Sequence, residues 1–225
     1  MAIVKLTDAD GHTHNDTQWG PNVTHSVEYT GKLCTAGVLH AYEANTLDEA
    51  IALAVMMDPI HSDFHYEARA WECKSAGKST TDGTKSGYES LTTVREMDLP
   101  EVTDEQVSEF SLRCAMAVCN DSQWLEWANG WLSGEDKSVD TTHDAIIMAA
   151  KASSVARFTD DHTDIAVIRS AAAGAARSNA ACVAISAVDD GPIARATAAM
   201  TAEEAAYADV NISISAIAAA VLSPD

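Results

Sequence analysis

Asp121 to Gly134 reads D-S-Q-W-L-E-W-A-N-G-W-L-S-G and holds three of the five tryptophans. Trp124, Trp127 and Trp131 fall at i, i+3 and i+7, which is one stripe of a helix, and Leu125 and Leu132 broaden it. Asp121 or Ser122 suits the N-cap, and Gly134 suits the C-terminal stop. Three indoles on one short helix bring more apolar area than any comparable stretch, each aromatic burying roughly 150–250 Å². A core helix is therefore expected here, with an exposed aromatic docking surface as the alternative. The sequence changes character at this point, from strand-like segments and turns before it to alanine-rich helical sequence after it.

Downstream, Asp136 to Thr142 is a polar break, and 27 of the 80 residues from His143 to Leu222 are alanine. Alanine is the best helix former, and its small side chain lets helices approach closely. A weak repeat relates Asp144–Arg157 to Asp164–Arg177, each opening on an acid and closing on Ala-Arg, which matches the helix dipole at both ends. A third copy ends at Ala194-Arg195 and is broken by Gly191-Pro192. Short antiparallel helices stacked on alanine faces are expected. Thr201 with Glu204 reads as a capping box opening a last helix to Val221. Isoleucine and valine positions in this half exceed what short helices bury on one side, so Ile168, Ile214 and Ile217 are the candidate interface of a homo-oligomer, by default a dimer. A monomeric bundle closed around the tryptophan helix is the alternative.

Upstream, Thr103 and Gln106 form a capping box ahead of Val107, Phe110, Cys114, Ala117 and Val118, a buried helical stripe running to about Cys119. Pro100 separates it from an N-terminal part of different texture. Ile3 to Thr7 alternates apolar and polar residues, and Asp8–Gly11 is a turn, so a hairpin is expected at the start. Val23–Tyr29 and Arg69–Cys73 read as strands, Ser75–Ser86 as a Gly/Ser/Thr/Lys loop, and Tyr88–Met97 as a further strand. Thr46 and Glu49 cap a helix from Leu47 to about Met57, stopped before Pro59. The fold class is therefore α+β: a small mixed α/β N-terminal unit (1–99) followed by an alanine-rich antiparallel helical region (100–225).

The chain carries a formal charge of −20, with 15 acids against 7 bases in residues 1–99 and 19 against 7 in residues 100–225. A field of this sign opposes nucleic acid and anionic membranes and favours solubility or cationic partners; an acidic DNA mimic is one special case. The N-terminus lacks the pattern of a signal peptide, and no apolar run is long enough for a span. Five cysteines without a C-x-x-C read as reduced and mostly buried, and a cytosolic location is expected.

Six of the eight histidines lie in the first 65 residues. His12 and His14, or His61 and His65, together with Cys34 or Cys73 form the only zinc-like combinations, but the spacing matches no zincin, ribbon or finger pattern. Solvated or hydrogen-bonded histidines are the expectation, with no metal and no cofactor. Cys34 beside His25 or His40 is a conceivable thiolate pair that nothing in the sequence brings together. No phosphate-binding or nucleophile-elbow motif occurs, so no catalytic residue is assigned. If the N-terminal unit holds a ligand pocket, His25, His40, Tyr42, His61, Arg69 and Trp71 are the candidates, since they combine aromatic faces with donors.

T-Q-W-G at 17–20, V-T-H at 23–25, L-C-T-A-G-V-L-H-A-Y at 33–42, D-P-I-H-S-D-F at 58–64, A-W-E at 70–72, L-T-T-V-R-E at 91–96 and W-A-N-G-W-L-S-G-E-D at 127–136 resemble a family of uncharacterised proteins of tailed bacteriophages and prophages. That resemblance implies a phage setting and expression in the cytosol of a bacterial host, and carries no catalytic residues. The order Gly37-x-x-His40-Ala41-Tyr42, then Asp48-Glu49-Ala50, then Trp71-Glu72-Cys73 is also similar to the middle of ADP-ribosyltransferase-like folds, without their catalytic-glutamate motif. The functional expectation is a non-enzymatic accessory protein that binds a host or defence protein. A small-ligand or nucleotide binder, a degenerate transferase-like domain, and an acidic mimic or virion structural protein are the alternatives.

Overall fold

The computed structural model describes residues 1–13, 16–57, 68–157, 165–186, 191–209 and 211–223. It shows an α+β protein with an antiparallel sheet. The chain divides into two units, Met1–Glu101 together with Ala218–Asp225, and Val102–Ile217. The first boundary lies close to the one the sequence marks at Pro100, and the C-terminal residues group with the first unit.

In the first unit, β1 (Ala2–Thr7) pairs antiparallel with β5 (Leu39–Ala44) and with β6 (Arg69–Thr81). The strand β7 (Ser86–Met97) pairs with both β5 and β6, so the four strands form a closed cycle, a small barrel-like sheet. Two-residue β2 (His12–Thr13) and β3 (Thr17–Gln18) make a separate hairpin, and β4 (Thr24–Ser26) adds to β7. The hairpin expected from Ile3–Thr7 through the Asp8–Gly11 turn does not form, because β1 takes its partners from far along the sequence; β2 and β3 make a different hairpin just after that turn. The period of two places Ile3, Ala41, Trp71 and Cys73 on one face, where they form a core with Trp19, Tyr88, Leu91 and Leu39. Against β5 and β1 lies α1 (Leu47–Met57), which buries Ala50, Ala52, Leu53, Ala54, Met56 and Met57. It opens as its capping pattern requires, with Thr46 Oγ1 accepting from the Glu49 N–H at 3.2 Å.

The expected loop at Ser75–Ser86 is instead mostly strand. Both β6 and β7 continue to a turn at Asp82–Lys85, in which Asp82 Oδ1 accepts the backbone N–H groups of Thr84 and Lys85. A backbone ladder does not depend on side-chain hydrophobicity, and irregularities between Glu72/Cys73 and Ala76/Ser79 absorb Gly77 in its left-handed conformation. Val23–Tyr29 shortens to Thr24–Ser26, flanked by backbone bonds of Val23 O and Val27 N–H to Thr93 and Glu89 of β7.

The second unit holds α2 (Asp104–Ala117), α3 (Ser122–Ser133), α4 (Val139–Arg157), α5 (Ile165–Ser186) and α6 (Gly191–Ala208), while α7 (Ile214–Leu222) starts in it and ends among the residues that group with the first unit. The helix α5 packs on α4, α6 and α2, and α2 also packs on α6. Alanine supplies much of the contact: Ala145 and Ala149 on α4, Ala176, Ala180 and Ala181 on α5, and Ala194, Ala198, Ala202 and Ala205 on α6 are all buried. Trp124 and Trp131 are buried on α3, and Trp127 meets Trp124 edge-on with centroids 5.4 Å apart. Asp121 caps α3 through the N–H groups of Gln123 and Trp124, and Gly134 ends it in the left-handed conformation at φ 78°.

Two expectations for this half change. Gly191-Pro192 opens α6 rather than breaking a helix, as suits proline's fixed φ and missing N–H in a first turn. Thr201 does not cap a helix. It lies inside α6, fully buried, donating to Thr197 O at 2.9 Å and accepting from Ser111 Oγ of α2 at 2.9 Å. The hydroxyl is used across the helix interface, and the last helix starts only at Ile214. By contrast, Thr103 and Gln106 form the full reciprocal capping box of α2. Thr103→Ala is expected to lower stability by about 1 kcal/mol, read as an earlier urea midpoint at unchanged slope.

Candidate functional site

The polar chemistry of the first unit is concentrated inside the barrel. Its residues come from the strand phase of Ile3, Lys5 and Thr7, whose alternation with Val4 and Leu6 marks Lys5 and Thr7 as the polar positions. Both are nonetheless buried, Lys5 at 8% exposure. The Lys5 ammonium donates to His40 O at 2.7 Å and lies 5.3 Å from the centre of the Trp19 ring. Thr7 Oγ1 accepts the indole N–H of Trp71 at 3.2 Å. Trp19 is held by the Gly11 turn, where its N–H meets Gly11 O at 2.7 Å. Gly11 sits at φ 86°, and a Cβ there would come within 2.7 Å of Trp19 O.

Tyr88 donates a short hydrogen bond to the Glu43 carboxylate. Burial, reinforced by this bond, raises the Tyr88 hydroxyl above its ordinary range. Burial pushes the Cys73 thiol up to about 12, against the opposing pull of the Lys5 charge. Near neutral pH both groups keep their protons, so Cys73 is held as an unreactive thiol and Tyr88 as a donor. The arrangement orders the barrel interior through satisfied polar contacts.

The structure places five of the six pocket candidates. His25 on β4 packs edge-on against Trp19 at 4.6 Å, with Nε2 2.8 Å from Gln18 O. His40 Nε2 accepts the backbone N–H of Cys34 at 2.8 Å, and Tyr42 is buried on the same face of β5, opposite Ala41. Arg69 bonds Glu96 twice, at 2.6 and 2.7 Å, and stacks 4.7 Å over Trp71. Trp71 itself is core. His25, Arg69 and Trp71 therefore gather around the barrel interior, whereas the His40 and Tyr42 rings belong to its other face, and the six do not form one pocket. His61 lies outside the described residues, as do His14 and His65. The thiol of Cys34 is exposed, and His40 meets that residue through the backbone.

Lys5, Glu43 and Tyr88 are the interior polar residues that motif reasoning passes over, and Cys73, weighed only as a metal ligand, joins them. Lys5 carried the one usable signal, a cation in phase with Ile3 on the first strand. Among the described residues, no group of three His, Cys, Asp or Glu side chains is placed to hold a metal.

In the second unit, Arg177 on α5 is buried. It reaches the start of α3, donating to Cys119 Sγ at 3.7 Å and lying 3.9 Å from Asp121 Oδ2. Of the interface candidates, Ile214 is 1% exposed within the single chain and Ile217 is half-buried. The Ile168 side chain lies outside what the structure describes. Among the described side chains of α4, Ile147 and Val139 are the large aliphatic ones that remain exposed.

No protein-family model, curated protein or solved structure matches the chain. No described helix is long and apolar enough to cross a membrane.

Proposed function

We propose that this protein acts by binding rather than by catalysis, engaging a cationic host or defence protein in the cytosol of a phage-infected bacterium. The observation that carries this reading is the uncompensated acidic charge. Arg69, Arg95, Arg113, Lys137 and Arg177 are paired within the chain with Glu96, Glu72, Glu109, Glu105 and Asp121, and the 34 acids outnumber the 14 bases, for a formal net charge of −20. Such a field steers cationic partners and repels polyanions. The phage setting rests on the sequence resemblance alone.

The test is affinity capture from bacterial lysate across a salt series. One partner is expected to be retained at low salt and released as the screening length falls from about 10 Å at 0.1 M to about 3 Å at 1 M. Recovery of nothing above background across several hosts overturns the reading. A small-ligand role for the first unit, favoured by the buried Lys5 and Tyr88 with half-buried Glu43, has a separate check by thermal shift. A ligand at 100 times its Kd adds about 2.7 kcal/mol, and silence across nucleotides and metals removes that alternative. Self-association as a dimer is part of the proposal and is read by light scattering over a concentration series.

A further inference from the structure

Helix α6 has two faces of opposite character. Ala194, Ala198, Thr201, Ala202, Ala205 and Ala206 are buried. Met200, Glu203, Glu204 and Tyr207 follow at i, i+3, i+4 and i+7 and line a shallow cavity of about 340 Å³. Met200 is 50% exposed and Tyr207 60%, making them the large hydrophobic side chains that α6 leaves outside among the described residues. A helix this rich in alanine presents few side chains with any reach, so a thioether, two carboxylates and a phenol ring on one outward stripe make a distinct surface.

We propose that this stripe docks an arginine-bearing segment of the cationic partner, an inference that rests on the binding role proposed above. Each part of an arginine side chain has a counterpart here. Its aliphatic stem suits the adaptable thioether of Met200. Its planar guanidinium suits the carboxylate of Glu203 and the face of Tyr207. Local charge argues against the other occupants of this stripe: the same face of a second copy would set carboxylates against carboxylates, and an anionic membrane or nucleic acid is repelled. A stripe of four side chains is also far smaller than the roughly 800 Å² per partner of a standard interface, which points to a short segment.

The experiment measures fluorescence anisotropy of a labelled helical peptide, with arginine at every third or fourth position among alanine and leucine, against the full-length protein at low salt. Glu203→Gln and the pair Met200→Ala, Tyr207→Ala are each expected to weaken binding roughly tenfold, in the range of interface hot spots. Glu135→Gln removes the same charge from another exposed site in the same unit and is expected to change affinity less than about twofold. Replacing the peptide's arginines with lysine is expected to weaken binding to the wild type, since lysine lacks the planar fork. Equal losses for Glu203→Gln and Glu135→Gln, or none for the Met200/Tyr207 pair, overturn the site while leaving the attraction to cationic partners standing. Absence of binding by the wild type overturns both.

Discussion

Replacing Trp71 with alanine is expected to destabilise the first unit by about 3–5 kcal/mol, the range for truncating a large core aromatic. Trp71 is fully buried on β6 among Ile3, Trp19, Ala41, Cys73, Tyr88 and Leu91, and its indole N–H bonds Thr7 on β1. Alanine removes the ring, leaves a void that closed strand pairings cannot readily collapse, and strips the Arg69 guanidinium of its stacking surface. A domain's whole stability is about 5–15 kcal/mol, so the loss is a large share of the total. Trp71→Phe keeps most of the volume and is expected to lose far less. Urea denaturation followed by circular dichroism compares the two. Because the chain has two units, the transitions are to be fitted separately rather than as one. A Trp71→Ala midpoint indistinguishable from wild type would contradict the barrel core described above.

Stability is also expected to fall steeply in alkali. Burial raises the thiols of Cys73 and Cys114 and the hydroxyl of Tyr88, so the folded chain holds these protons more tightly than the unfolded chain does. The resulting contribution is fully present below the ordinary thiol value of 9.0 and is lost as pH climbs from there toward the folded value of about 12 for Cys73. At about 1.4 kcal/mol per pH unit, Cys73 alone accounts for a few kcal/mol across that window. Thermal unfolding between neutral pH and pH 11 reads it directly. Cys73→Ala is expected to flatten the alkaline limb, whereas Cys34→Ser, at an exposed thiol, leaves it unchanged. A wild-type profile level to pH 11 would show that these groups are not enclosed as described.

Both effects depend on residues whose identities are plain in the sequence and whose surroundings are not. Trp71 reads as an inward strand residue, and the strand is there. Lys5, by contrast, occupies the polar phase of an alternating strand, and nothing near it in sequence announces that His40 O will receive its ammonium. Glu43 and Tyr88 sit on different strands and meet only because the pairings close.

Taken alone, the sequence determined the helices that carry their own punctuation. Thr46 with Glu49, Thr103 with Gln106, and Asp121 with Gly134 set the observed ends of α1, α2 and α3, because capping bonds reach only three or four residues and their partners are already in view. It also determined the α+β class and the acidic character of the whole chain. Tertiary structure decided whatever depended on a distant partner. Ser75–Thr81 became strand because β7 offers a continuous ladder, and β1 paired with β5 and β6 rather than with its neighbour in sequence. Thr201 carried the sequence signature of a cap but was taken into the middle of α6 by its bond to Ser111, 90 residues away. A local signal specifies a conformation only while no long-range contact outweighs it, and the burial of Lys5 and Thr201 was settled by such contacts.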